Sequence, residues 1–246
     1  MRSIGALGGL AAAVALGLAL PAGAATVTAC GPNVCYEYDN TQPAVSLFGL
    51  PTLLGDIMFF TPTTFEARSA DGVGIHTATN TDVVDATWVF TRVYSITPGN
   101  EITSIVAYEE GDYESNYAAG SVSGDLYLRA RGLNNLLEAS LIDTDAFDFT
   151  GNSGGVQLWD MGASLTPAAS LAQLATNLTV TIQNTLTAFT SNSTPGSELA
   201  WIEKKLFLDV TTVSVVPVPA AAWLLGPALG LLGLMRRRGA AAPTTV

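Results

Sequence analysis

The sequence predicts an all-β protein, a single antiparallel β-sandwich of jelly-roll-like type with at most one short helix, set between two hydrophobic ends. Three observations predict it. Apolar and polar residues alternate with period two in several runs of the middle of the chain. Clusters of Gly, Pro, Asn and Asp separate those runs. Helical patterns do not interleave with them, which argues against a parallel α/β sheet.

Taken in order, residues 86–96 carry Trp88, Phe90, Tyr94 and Ile96 at even positions, with Thr87, Thr91 and Ser95 between them. Val89 and Val93 occupy the other face, so this strand is expected to be covered on both sides, and Arg92 interrupts the apolar phase. Residues 102–108 alternate more weakly. In residues 122–130, Val122, Leu126, Leu128 and Ala130 face one way, and Ser123, Asp125, Tyr127 and Arg129 the other. Leu178, Val180 and Ile182 alternate with Thr179, Thr181 and Gln183. The last run puts Ile202, Leu206, Leu208 and Val210 on one face, with Lys204 the exception. Turns are predicted at residues 70–72, 98–100, 111–112, 131–132 and 194–196. One helix is predicted from Thr166 as cap, Pro167 at the first position, and Leu171, Leu174 and Leu178 at three- and four-residue spacing.

The amino end has the form of a signal peptide over residues 1–24. Arg2 supplies a positive start, an apolar stretch runs from Ile4 to Leu20, and Ala22-Gly23-Ala24 offers a small-residue cleavage site. The domain expected between the ends covers residues 25–212, long enough for one substantial core. All 21 acidic residues lie between Glu37 and Asp209, against six basic ones, a formal charge of −15 for this middle compared with −11 for the whole chain. Such a charge opposes binding to nucleic acid or anionic lipid. The two cysteines, Cys30 and Cys35, bracket a Gly-Pro-Asn turn. In an oxidising compartment they are expected to form a local disulfide that staples one end of the domain.

Few residues are candidates for chemistry. His76 is the single histidine. A Ser-His-Asp triad would need companions such as a G-x-S-x-G elbow, which is absent, and Gly-Asn-Ser-Gly-Gly at 151–155 reads as a flexible loop. Glu109, Glu110 and Glu114 are candidates for a glycosidase-like carboxylate pair, with nothing in the sequence marking one of them as buried. Asp143, Asp145 and Asp148, followed by Gly151-Asn152, form an acidic stretch that would suit calcium on a flexible loop. Glu109-Glu110-Gly111-Asp112 would form a second such loop, although neither matches the EF-hand or glycine-rich repeat spacing. For sugar binding, Trp159, Tyr113 and Tyr117 are placed near loops as aromatic platforms, whereas Trp88 and Trp201 belong to strands. No catalytic or cofactor-binding residue is assigned.

The tail, residues 213–246, has three parts: Pro217 and Pro219, an apolar run from Ala220 to Met235, and the cluster Arg236, Arg237 and Arg238. Sixteen residues at 1.5 Å rise cover roughly 24 Å, and residues 215–219 bring the segment to spanning length. The arginines would hold its end on the cytoplasmic side. This order of proline motif, apolar span and basic stop resembles the PEP-CTERM sorting signal, in the variant reading V-P-x-P-A-A, with Val218 where the name-giving motif has glutamate. The resemblance covers about the last thirty residues. It implies an exosortase-type processing enzyme as partner, transient anchoring in the inner membrane, and a link to exopolysaccharide. The expected role is that of a structural or interaction protein of the cell surface or extracellular matrix. A carbohydrate-binding module, or less readily a glycan hydrolase, displayed by the same route is the alternative.

Overall fold

The computed structural model describes residues 25–133, 140–167, 175–193 and 196–214. The expected signal peptide and the tail with Pro217, Pro219 and Arg236 to Arg238 lie outside the described residues. Among those residues, no helix is long and apolar enough to cross a membrane.

Within the described residues the elements with both ends in view follow in the order β1 (Thr26–Cys30), β2 (Val34–Asp39), α1 (Val45–Phe48), β3 (Thr52–Leu54), β4 (Ile57–Phe60), β5 (Glu66–Ala70), β6 (Val73–Gly74), β7 (Thr81–Ser95), β8 (Asn100–Ser115), β9 (Ser121–Gly132), β10 (Leu141–Thr150), β11 (Gln157–Leu165), β12 (Asn177–Phe189), β13 (Leu199–Glu203) and β14 (Lys205–Ser214). They form two antiparallel sheets, the β-sandwich-like arrangement expected of such alternation. The first has the order β1-β2-β7-β12-β9-β10. In the second, β8 pairs with β11 on one side and with β13 and β14 on the other. β14 continues to β4 and β3, and β13 to β5 and β6.

The core between the sheets follows the pleat. Val122, Leu126, Leu128 and Ala130 of β9 are buried, as are Leu178, Val180, Ile182 and Leu186 of β12. Trp88 sits at its centre, with the rings of Tyr38, Phe48, Phe60 and Phe90 within about 6 Å of it. In β7 the expected phase is corrected beyond Phe90. Both neighbours of β7 skip a residue near Thr91, where Tyr38 pairs with Phe90 but Glu37 with Arg92. This bulge turns Val93 into the core and leaves Tyr94 half-buried and Ile96 exposed.

The turns at Asp71-Gly72 and Gly99 form with positive φ, as their residue types favour. The turn expected at Gly111-Asp112 does not form, because both residues continue β8. The predicted helix is corrected at its end: Leu178 belongs to β12, Pro167 is helical, and residues 168–174 lie outside the described residues. Cys30 and Cys35 form a disulfide at directly paired positions of the β1–β2 hairpin.

Candidate functional site

The polar group that stands out is inside the sandwich. Odd positions of β8 face the core, as Ile105, Ala107 and Tyr113 do, and the same phase carries Glu109 inward. Even positions of β12 face it from the opposite sheet, which brings in Asn184 between Ile182 and Leu186. Between β13 and β14 the inward phase continues through Ala200, Ile202, Lys204, Leu206 and Leu208. Pairing on either side of the break, Ile202 with Tyr113 and Lys205 with Glu110, sets Lys204 against Gly111. Gly111 leaves space there: a Cβ on it would lie 1.9 Å from the Glu203 carbonyl oxygen. That carbonyl accepts a hydrogen bond from Trp159 Nε1 at 3.0 Å.

Lys204 Nζ donates to Glu109 Oε1 at 3.0 Å, and both side chains are fully buried. Asn184 Nδ2 donates to the same oxygen. Two aromatic rings wall the amine, Phe65 with its centroid 4.2 Å from Nζ and Phe48 at 4.6 Å. Directly opposite Glu109 stand Met161 and Leu206, and opposite Asn184 stand Ala86 and Leu126. Burial raises the Glu109 carboxyl above its ordinary range against the attraction of Lys204 and the bonds it accepts. Burial likewise brings Lys204 down to about 8, against the pull of Glu109. Glu109 Oε2 and Asn184 Oδ1 are buried without a hydrogen-bond partner. Glu109 is therefore set apart from Glu110 and Glu114, a distinction the sequence did not reveal.

The other predicted residues have different settings. His76 bonds Asp82 from Nδ1 at 2.9 Å, while Ser153 of the 151–155 segment bonds Ser115 and Gly155. The structure does not join the two into a catalytic pair. The calcium stretch is corrected from loop to strand, since Asp143, Asp145 and Asp148 all lie in β10. Asp143 Oδ2 accepts the Ser164 amide at 2.7 Å and Asp145 Oδ2 the Gly162 amide at 2.8 Å, both on the outer edge of β11. Asp148, an odd number of residues away, falls on the other face of the pleat. Among the described residues there is no group of three or more His, Cys, Asp or Glu placed to hold a metal ion. The second acidic stretch is likewise part of a strand, β8, rather than a loop.

Trp159 and Tyr113 are corrected as sugar platforms, being buried with Phe147 stacked on Trp159 and both Phe147 and Phe149 against Tyr113. Tyr117 is half-buried with its hydroxyl bonded to Ser191 and Ser193. Trp88 is core, and Trp201 is half-buried with its indole N–H on Glu114. An open groove of about 630 Å³ runs along β9, β10 and β12, lined by Asp125, Tyr127, Thr144, Asp145, Gln183 and Thr185 together with the apolar Leu126 and Ala146.

Fold and interior together define an all-β, two-sheet, disulfide-containing domain with a lysine, a carboxyl and a carboxamide enclosed between its sheets. No family model matches the chain, and no curated protein matches it either. Among solved structures, one titled "Structure of infectious bursal disease virus Gx strain" is similar at 12% identity over 74% of this chain and 52% of that one. This chain thus aligns with about half of that one, and a TM-score of 0.19 carries no argument about fold or function.

Proposed function

We propose that this chain is an exported cell-surface or extracellular-matrix protein with a structural or interaction role, delivered by an exosortase-type system and associated with exopolysaccharide or biofilm. The observation that carries the reading is the tail, in which Pro217 and Pro219, an apolar run and Arg236 to Arg238 follow one another. Held in the inner membrane with its end in the cytoplasm, the tail is removed when the protein reaches the surface. The acidic surface and the disulfide suit such a compartment. A structural or interaction role is in keeping with the engagement of Glu109 by Lys204 and Asn184, of His76 by Asp82, and of Asp143 and Asp145 by β11. Repeated passage of the chain between sheets, from β7 to β8 to β9 and again from β10 to β11 to β12, supports the jelly-roll-like description.

Mass spectrometry of surface-associated protein from the native host is expected to find no peptide from residues 220–246. Recovering the intact tail from surface-located protein would sink the sorting reading. A second reading, carbohydrate binding, is favoured by the groove around Tyr127, whose half-exposed ring is flanked by hydroxyl, carboxamide and carboxylate groups. A glycan array on the purified protein separates the two. Dose-dependent binding abolished by Tyr127→Ala supports the module, and a blank array supports the structural role.

A further inference from the structure

We infer that Lys204 and Asn184 are the two halves of an intramolecular isopeptide bond across the sandwich, formed by the protein itself with Glu109 as its acid–base group. Three features carry this, and none depends on the tail or on the proposed function.

The first is placement. Asn184 belongs to the first sheet and Glu109 to the second, and Lys204 sits at the break between β13 and β14 of the second, so an amide between Asn184 and Lys204 would join the two layers covalently. The second is geometry. The amine nitrogen and the carboxamide nitrogen it would replace share one acceptor, Glu109 Oε1. A single carboxyl that touches both the nucleophile and the leaving group is what proton transfer between them requires. The third is environment. All three side chains are fully buried, and two phenylalanine rings face the amine.

A plain buried ion pair does not account for the arrangement as well. It would leave Glu109 Oε2 and Asn184 Oδ1 as orphaned acceptors in the core, each at the cost of burying an unpaired polar atom. A proton on the carboxyl turns one of these acceptors into a donor. Burial favours that neutral state for Glu109 and the neutral amine for Lys204, and the free amine is the nucleophilic form.

The reaction balances without any co-reactant. The lone pair of Lys204 Nζ attacks Asn184 Cγ, and a tetrahedral intermediate forms with its charge on Oδ1. Glu109 delivers its proton to Nδ2 and takes one from the now cationic Nζ. The Cγ–Nδ2 bond breaks, ammonia leaves, and the new Nζ–Cγ amide remains with the Glu109 carboxyl regenerated. Enclosure holds the reacting groups together and keeps competing water away.

Intact-mass and peptide measurements on the purified full chain test this. The folded protein is expected to be lighter by about 17 Da, the mass of ammonia, than its sequence with the disulfide counted. Glu198 and Glu203 lie between the two residues, so cleavage at glutamates separates Asn184 from Lys204 unless they are joined. The expected map contains one branched species linking the two peptides, short of ammonia. Glu109→Gln and Lys204→Met are each expected to restore the full mass and the separate peptides. The wild-type map decides the matter even where a variant fails to fold. Full sequence mass with two separate peptides in folded wild-type protein overturns the inference, and so does a branch at any other residue.

Discussion

Asp82 shows how much one buried side chain can organise. Its carboxylate accepts the Arg68 amide at 2.8 Å, the His76 amide at 2.7 Å and the His76 ring at 2.9 Å, tying β5 and the turn after β6 to the start of β7. Burial alone would raise its pKa, yet these hydrogen bonds outweigh burial and hold it below the ordinary 3.8. A lowered carboxyl adds stability that is present above the unfolded value and is lost as pH falls through the folded one. Asp82→Asn is therefore expected to cost about 3 kcal/mol at neutral pH. The gap to wild type should close as pH falls below 3.8, measured by urea unfolding. A gap that stays constant into acid would rule out the charge as its source. At this scale the sequence was partly readable. Lys204 stood out as the polar residue on an apolar phase, and Glu109 and Asn184 occupy the same kind of position in β8 and β12. That Lys204 and Asn184 break a core-facing phase was a usable signal, whereas the weak alternation before Glu109 gave none. That the three meet depends on how the two sheets are stacked, which no single strand encodes.

At the scale of elements, β10 and β11 are the edges of the two sheets and would expose unpaired amides. Asp143 and Asp145 close this seam by accepting the Ser164 and Gly162 amides of β11, and Phe147 stacks on Trp159 behind them. A double variant, Asp143→Ala with Asp145→Ala, is expected to lose about 2 kcal/mol in total and to uncover the edge. Size-exclusion chromatography should then show larger species than wild type. Unchanged elution with an unchanged unfolding midpoint would mean the carboxylates do not guard the edge. The same residues read as a cation loop in sequence because acidic residues near a glycine are common to both settings. Likewise, Gly111-Asp112 read as a turn, although the glycine is needed mid-strand for the close approach of Glu203. Composition names the residue types; only pairing across strands says what they face.

Over the whole molecule, stability rests on the core between the sheets rather than on the staple at its end. Trp88 lies at zero exposure among four other rings, and Trp88→Ala should cost about 4 kcal/mol. The Cys30–Cys35 disulfide closes a short loop between β1 and β2 at the edge of one sheet, so Cys30→Ser with Cys35→Ser should cost about 2 kcal/mol. Chemical denaturation of both variants tests this order, and a larger loss from the disulfide pair would reverse it. The sequence by itself determined the all-β class, the inward faces of β9 and β12, and the disulfide. Each follows from local periodicity or from two cysteines too near in the chain to miss one another. The short strands β1 to β6 escaped it because they carry too few residues to establish a period. The phase change at the β7 bulge, the seam of β10 with β11, and the meeting of Lys204, Glu109 and Asn184 were decided only by the tertiary structure. Each depends on register and stacking between segments far apart in the chain, and a shift of one residue in either would turn those side chains to the opposite face.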